Sequence, residues 1–514
     1  MSNQGSAWSI VRAIAGALAV AAIVLSLWML HGETDGIVIE SDRVGTTPVT
    51  VYRPAASGKA PVLVIAHGFA GSAKLMESFG IAAARNGYIG VTFDFVGHGR
   101  NPAPLTGSIV EVDGATRRLL TELGEVAAHA RALGDGRLAV LGHSMASDIV
   151  VRYAVASPDV AATIAVSMFS PAVTATAPRN LLVITGEWEG MLGEEALRVV
   201  SLATAPAKAV AGVTYGDPAQ GTARRAAISP NTEHASVLFS ESTMRETITW
   251  LDIAFGTQRA SPPDIEPRGV WIVLLLAGGL MLAWPLSRLL PVCCMPPAGA
   301  NLGWRALWLP MLLPMIATPL ILRVTPTHVL PVLVGDYLAF HFALYGVLTV
   351  FCLALVNRRA VPPRWTELLS ASSLAAAAAV VAFGFIAVVW PLDRFVTSFV
   401  PGPERFLLIG VLLVGTLAYF LSAEWLTRGA GAARGAVLAA RVCFLLSLAI
   451  AVALDLERLF FLIIVVPVIV LFFLYYGLIC GWTCRRTGNP LVAGLASAIA
   501  FAWAIGVTFP LVAG

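Results

Sequence analysis

The chain has 514 residues, 57% of them hydrophobic and 13% charged, with a mean hydropathy of +0.78. That composition lies outside the range of soluble globular proteins, and a net charge of +3 over this length leaves no electrostatic footprint for nucleic acid. Arginine far outnumbers lysine, which occurs only at Lys59, Lys74 and Lys208; with so much alanine, this points to a GC-rich bacterial source.

Ala13 to Leu30 is an uncharged run of 18 residues preceded by Arg12, long enough to span a bilayer. It ends in "SLWMLHGE", without the small-x-small pattern of a signal-peptide cleavage site. Residues 1–31 therefore read as an uncleaved transmembrane anchor.

Residues 32–266 change character. Short apolar strands ("PVTVYRP", "PVLVIAHG", "YIGVTFDF", "RLAVLGHS", "ATIAVSMFS", "NLLVITGEW") alternate with amphipathic helical stretches such as "AKLMESFGIAAARNG" and "RRLLTELGEVAAHARALG". Such alternation predicts a mostly parallel sheet with helices on both faces. The stretch "AVAGVTYGDPAQGTARRAAIS" reads as two strands joined by a Gly-Asp-Pro turn, and "SPPDIEPRG" as a Pro-rich linker that closes the domain.

Residues 267–514 are nearly all membrane. Eight hydrophobic segments fall at roughly 270–290, 305–323, 333–356, 368–391, 405–425, 435–454, 458–480 and 489–511, nine spans with the first anchor. With the N-terminus inside, the inner loops hold ten arginines (Arg288, Arg305, Arg358, Arg359, Arg364, Arg428, Arg434, Arg441, Arg485, Arg486). The outer loops hold five (Arg268, Arg323, Arg394, Arg405, Arg458). This bias predicts an N-in, C-out topology in a bacterial inner membrane, with 32–266 on the periplasmic side. The prolines of "LPMLLPMIATP" predict kinks. Asp336 and His341 are ionisable groups at membrane depth, but five positions turn a helix by about 140°, so they do not share a face. The six cysteines (Cys293, Cys294, Cys352, Cys443, Cys480, Cys484) all lie here. No disulfide framework holds the N-terminal half, and no His or Cys pattern completes a metal site.

The chemistry is concentrated in five stretches. In "LAVLGHSMASDIVVRYA" an apolar strand turns abruptly into a helix, and the corner "GHSMA" (Gly142 to Ala146) presents Ser144. Small flanking residues allow such a strained turn, which fits a nucleophile elbow G-x-S-x-G with Ala146 in the last place. "VLVIAHGFAG" ends a strand at His67-Gly68-Phe69. "FDFVGHGRNP" follows the next strand with Asp94, Gly97 and Gly99. "NLLVITGEWEG" ends near Glu187 and Glu189, and "SPNTEHASVLFS" supplies His234 ahead of the last helix. The order is serine, acid, histidine. A serine hydroxyl is a weak nucleophile, so an imidazole must take its proton and a carboxylate must orient the imidazole.

These stretches resemble an α/β-hydrolase, the compact dienelactone-hydrolase-like branch in particular, over about half the chain. The resemblance implies an acyl-enzyme mechanism with Ser144 as nucleophile, His234 as general base and Glu189 as triad acid, "G-E-W-E" placing Glu189 where the family's G-x-x-D puts Asp; Glu187 stays open as the partner. It also implies an oxyanion hole formed by the Phe69 and Met145 N–H groups. His67 and His143 sit in positions that shape the pocket, His98 reads as structural and His129 as a solvated helix face. Only about ten residues separate "SMFSP" from "LLVITGEW", where a helical cap is usually inserted, so no cap domain is expected. The implied function is a serine hydrolase acting on an ester, amphiphilic or lipid-like, without cofactor or metal; thioesterase, peptidase or acyltransferase share the same acyl-enzyme. The rival reading is a transporter or assembly platform that carries the hydrolase domain as an appendage.

Overall fold

The computed structural model describes residues 2–56, 58–107, 112–360 and 368–513. Its N-terminal half is built on nine strands: β1 (Ile37–Val44), β2 (Thr47–Pro54), β3 (Val62–Ala66), β4 (Ile89–Phe93), β5 (Leu138–His143), β6 (Val160–Val166), β7 (Leu181–Gly186), β8 (Thr214–Tyr215) and β9 (Arg224–Ser229). They lie in the order β1-β2-β4-β3-β5-β6-β7-β9-β8. The strands from β4 to β9 in this order run parallel, while β1, β2 and β8 are antiparallel at the edges. The second strand of the Gly-Asp-Pro pair, β9, has the expected extent; the first, β8, is reduced to two residues.

Strand β3 shows why the sheet is covered on both sides. All five of its residues are buried, with Val62, Val64 and Ala66 in one core and Leu63 and Ile65 in another. The first core takes Leu119, Leu123 and Val126 from α3 (Arg117–Leu133) and Ile149 and Val150 from α4 (Met145–Ala156). The second takes Phe79 and Ala83 from α2 (Glu77–Arg85) and Ile248, Trp250 and Leu251 from α6 (Glu241–Phe255). A strand apolar on both faces belongs inside a parallel sheet. The chain steps from β3 to β4 in one direction and returns past β3 to place β5 on its other side. The crevice at the carboxyl ends of β3 and β5 is thus the topological switch point.

Among the described residues, nine helices are long and apolar enough to cross a membrane, beginning with Trp8–Gly32 and Arg268–Leu289. Pro490–Thr508 is the most enclosed, 72% of it buried within the bundle, against 17% for the first. Gly346 and Gly415 let two neighbours approach closely: a Cβ on Gly346 would run into the Ala418 carbonyl, and one on Gly415 into that of Ala339. Helices Gly335–Val356 and Phe406–Thr427 therefore pack at glycine distance.

Three spans differ in extent from the sequence reading. The fourth of the C-terminal eight continues through a π-turn to Phe395. The seventh runs from Leu456 to Thr487 and carries Arg485 and Arg486 in its last turn. The last stops at Thr508; Phe509–Ala513 leaves the helix and runs between the two halves of the chain. Asp336 and His341 stay apart, Asp336 accepting from the Tyr337 N–H at 2.6 Å and His341 lying among Tyr337, Tyr345 and Phe444.

The helix ends fall into two groups. The ends at Arg268, Asp393, Arg405 and Phe509 meet the sheet half. At the opposite end the connecting loops gather on each other: Cys293 and Cys294 donate to the Thr487 carbonyl, Asn301 to that of Arg428, and Trp425 Nε1 to that of Ala360. Arg364 lies outside the described residues.

Candidate active site

Neighbouring strand ends bring the functional loops together. Ala66 of β3 pairs with Gly142 of β5, His143 with Val166 of β6, Val166 with Ile184 of β7, and Gly186 with Ser229 of β9. The loops that follow open side by side at one edge of the sheet.

Ser144 sits at the β5–α4 corner with φ 54° and ψ −119°, a conformation that costs a non-glycine residue about 1–3 kcal/mol. Its N–H is held by the Val166 carbonyl at 2.9 Å. Glycine is required on both sides of the corner. A Cβ on Gly142 would strike the Ala146 carbonyl, and one on Gly68 would come within 2.9 Å of the Ser144 Cβ. Ala146 itself is fully buried in the core beneath α4, which explains why alanine serves in the second small position.

The three side chains form one hydrogen-bonded chain. Ser144 Oγ donates to His234 Nε2 at 2.9 Å, and His234 Nδ1 donates to Glu189 Oε1 at 2.6 Å. Glu189 Oε2 accepts from the Ser167 hydroxyl at 2.7 Å and from the Gly186 N–H at 2.8 Å. Burial alone would raise the Glu189 carboxyl; the bonds from His234, Ser167 and Gly186 outweigh it and hold the group below its usual range, in the ionised form. Glu187 takes a different place, accepting from the Asn231 N–H at 2.8 Å in the turn that leads to His234. Sequence reasoning passed over Ser167; its signal is its position at the end of β6, beside the strand that carries the acid.

The Phe69 and Met145 N–H groups donate no hydrogen bond among the described residues. The direction of the first is fixed through its own peptide. The Gly68 carbonyl accepts from His67 Nδ1 at 2.8 Å and from the Gly71 N–H at 3.1 Å. Because a peptide is planar and trans, anchoring this carbonyl aims the Phe69 N–H to the opposite side. His67 Nε2 accepts from the Phe95 N–H at 3.1 Å, so the ring is a neutral strut between two loops, and burial lowers its pKa. His143 Nε2 donates to the His234 carbonyl at 2.9 Å, and His98 Nδ1 to that of Val96 at 3.0 Å. Burial pushes both rings down to about 3. His129, on the far side of the domain, meets Asp42 Oδ2 at 2.8 Å.

This edge of the sheet is also the one that rests on the long apolar helices of the C-terminal half. Phe69 stacks on Phe461 with ring centroids 4.0 Å apart. Ser72 Oγ is 2.9 Å from Thr397 Oγ1, and Arg100 donates to both oxygens of Asp393 at 2.8 and 2.9 Å. Leu105 and Gly97 bond to Leu511 on either side at 2.8 Å. At the linker, buried Arg268 bonds to Glu33, Glu77 and the Phe395 carbonyl. The apolar helices of the C-terminal half thus stand over part of the edge that carries Ser144, His234 and Glu189.

The topology and the elbow define the class, and comparison agrees. The family model of the α/β hydrolase fold matches residues 61–202, so the N-terminal half of this chain carries an α/β-hydrolase domain. That match ends before His234. Similar solved structures include a monoglyceride lipase from Saccharomyces cerevisiae (13% identity, 43% of this chain and 96% of that one, TM-score 0.31). A membrane phospholipase A described as a bacterial virulence factor matches at 15% identity, covering 50% of this chain and 99% of that one, TM-score 0.29. A dienelactone hydrolase from Anabaena variabilis matches at 16% identity, covering 42% and 96%, TM-score 0.28. Of the epoxide hydrolases from potato and Mycobacterium thermoresistibile the chain spans only 41% and 39%, and of a further solved structure only 40%. No curated protein matches the chain.

Proposed function

We propose that the chain is a membrane-embedded serine hydrolase that cleaves an ester, amphiphilic or lipid-like, through an acyl-enzyme. The observation that carries this reading is the unbroken chain from Ser144 Oγ through His234 to Glu189, at a strained elbow beside two undonated N–H groups. Ser144 Oγ attacks the ester carbonyl as its proton passes to His234 Nε2. The new oxyanion lies against the Phe69 and Met145 N–H groups, and Glu189 stabilises the imidazolium. Collapse breaks the ester C–O bond, and His234 returns the proton to the leaving alcohol. Water, deprotonated by His234, then releases the acid. The scheme requires neither metal nor cofactor.

The arginine partition supports a hydrolase domain on the periplasmic face of a bacterial inner membrane. Arg288, Arg305, Arg428, Arg434, Arg485 and Arg486 belong with the helix ends remote from the domain. The contacts of the site-bearing edge with the helices support approach of the substrate from the membrane. Release of fatty acid from esters in nanodiscs by full-length protein, lost in Ser144→Ala, tests the reading. Undiminished release by the alanine variant would refute it.

A further inference from the structure

The loop that carries the Phe69 N–H is not supported by its own domain alone. Ala70 has φ 56°, a left-handed conformation that persists in a non-glycine residue only when its surroundings enforce it. Among the described residues the Phe69 ring has three aromatic neighbours. His98 meets it edge-on at 6.1 Å; the other two belong to the membrane half. Phe461 stacks on it at 4.0 Å with an interplanar angle of 25°, and Phe509 meets it at 6.5 Å and 62°. Phe461 stands near the start of the helix Leu456–Thr487 and packs against the buried cluster that includes Phe509, Leu338 and Phe342.

We infer that Phe461 is a positioning residue for the hydrolase reaction: by stacking on Phe69 it holds the neighbouring backbone N–H at the place where negative charge develops beside Ser144. The inference rests on the proposed acyl-enzyme reading and deepens it, because it makes the bundle part of the catalytic geometry rather than an anchor. The alternative role for the contact is adhesion between the two halves. Adhesion already has other means: Arg405 to Gly97, Leu511 to Gly97 and Leu105, Arg100 to Asp393, and Arg268 to Glu33 and Glu77. Removing one ring leaves those bonds in place, yet deprives the Phe69 loop of the face it leans on. A donor displaced from a developing oxyanion lowers the rate of the chemical step and leaves ground-state binding nearly unchanged.

The test uses full-length protein in nanodiscs with a soluble p-nitrophenyl butyrate substrate and a trifluoromethyl ketone of the same acyl chain, which forms an anionic tetrahedral adduct with a serine. Phe461→Ala and the better-filling Phe461→Leu are expected to lower kcat by about 10- to 100-fold, with KM within about twofold, by analogy with loss of an oxyanion donor. The ketone should weaken by the same factor. Phe461→Tyr, which keeps the ring, should return to within about threefold of the native kcat. Native kcat in both the alanine and leucine variants, an unmoved ketone affinity, or a tyrosine variant as impaired as alanine would each overturn the inference. Ser144→Ala separates the two levels. If it keeps ester turnover, the acyl-enzyme reading fails; if it is inactive while Phe461→Ala and Phe461→Leu are native, only the role of Phe461 fails.

Discussion

Arg405 and Gly97 are joined across the two halves of the chain: the Arg405 Nη2 donates to the Gly97 carbonyl at 2.8 Å, while its Nη1 donates to the carbonyls of Gly506 and Phe509 at 2.8 and 2.9 Å. The guanidinium is fully buried. It ties the loop after β4, which lines the site, to the end of the innermost membrane helix. A planar fork of donors suits three converging carbonyls better than an ammonium does.

Replacing this side chain should therefore loosen the docking of the halves in a graded way. Arg405→Met strips the buried Gly506 and Phe509 carbonyls of this donor, an unpaired buried acceptor being worth about 1–3 kcal/mol, and leaves the Gly97 carbonyl with the Leu511 N–H, whereas Arg405→Lys keeps the charge and some of the bonds. The expected order of thermal inactivation half-life in detergent is native, then lysine, then methionine. A methionine variant that survives heating as long as the native protein would remove Arg405 from the interface.

The carboxylates allow a sharper comparison. Glu189→Gln breaks the bond to His234 Nδ1 and leaves the imidazole without its orienting anion, so turnover should fall by about 10⁴-fold, as in other triads. Glu187→Gln touches only the Asn231 N–H and should stay within a few-fold of native. Ser144→Ala should abolish labelling by a fluorophosphonate. Ester turnover by each purified variant measures the order, and a more damaging Glu187→Gln would reverse the assignment.

Much of this arrangement was readable because the residues that meet in it sit in short stretches with strong local demands. A strand that becomes a helix within one residue needs glycine at Gly142, and the loop beside it needs glycine at Gly68; both are visible in "GHSMA" and "AHGFAG". The spacing Gly186 to Glu189 likewise placed the acid beside its strand. Ser167, Phe461 and Arg405 were not readable in these roles. Ser167 reaches Glu189 only because β6 and β7 are neighbours, a fact of sheet order. Phe461 lies 392 positions after Phe69 in the chain, and nothing in a run of "LERLFFLIIVV" marks one phenylalanine among several as the partner of the Phe69 ring. Arg405 reads from sequence as one more loop arginine; only the fold shows that it is buried among carbonyls. The end of the last span was misjudged because "TFPLVAG" is as apolar as the helix before it, and only pairing with Gly97 and Leu105 distinguishes the extended tail.

Acid should destabilise the hydrolase half before its carboxylates titrate. His67, His98 and His143 are buried and held neutral, the last two with pKa values near 3. An unfolded histidine takes up its proton near pH 6.5. Between about pH 6.5 and 3 the unfolded state therefore binds more protons, so the stability these rings contribute is complete above pH 6.5 and is lost as the pH falls. Each ring shifted to about 3 accounts for about 2 kcal/mol by pH 5. Glu189, held below its usual range, adds a further loss in the same direction at lower pH. Thermal melts from pH 7 to pH 5 should show this slope, and His98→Gln should reduce it. A slope unchanged by that substitution would contradict the role of His98.

The topology has its own test. Lys208 is exposed on the hydrolase half, whereas Cys293 and Cys294 lie at the opposite ends of the helices. In cells with a permeabilised outer barrier, Lys208→Cys should react with an impermeant maleimide while the native cysteines stay unlabelled until lysis. Protection of position 208 in intact cells would invert the arrangement.

The substrate is expected to reach Ser144 from the apolar side of the site rather than from water. Three large apolar side chains, Phe169, Trp188 and Met191, are 66%, 67% and 85% exposed. Phe169 and Trp188 sit in the loops after β6 and β7, Met191 in the first turn of the helix Gly190–Ser201, and Trp188 lies between the two acids, beside Glu189. The neighbouring loops after β3 and β4 are already seated on the membrane helices through Phe69, Ser72, Arg100 and Leu105. Among the described residues no helix is inserted between β6 and β7 to shelter an acyl chain. Lengthening an ester from about four to about twelve carbons adds about 6 kcal/mol of burial, at about 0.8 kcal/mol per CH₂, and that free energy is available only where apolar surface adjoins Ser144. A bilayer around the apolar helices, together with the three exposed side chains, would supply such surface. In nanodiscs, full-length protein should therefore gain kcat/KM as the acyl chain lengthens. The triple change Phe169→Ser, Trp188→Ser and Met191→Ser should flatten that gain while leaving the four-carbon ester within about twofold, since none of the three bonds to Ser144 or His234 through its side chain. A preference for short esters in the native protein, or a length dependence that survives the triple change, would show that the substrate reaches Ser144 from water.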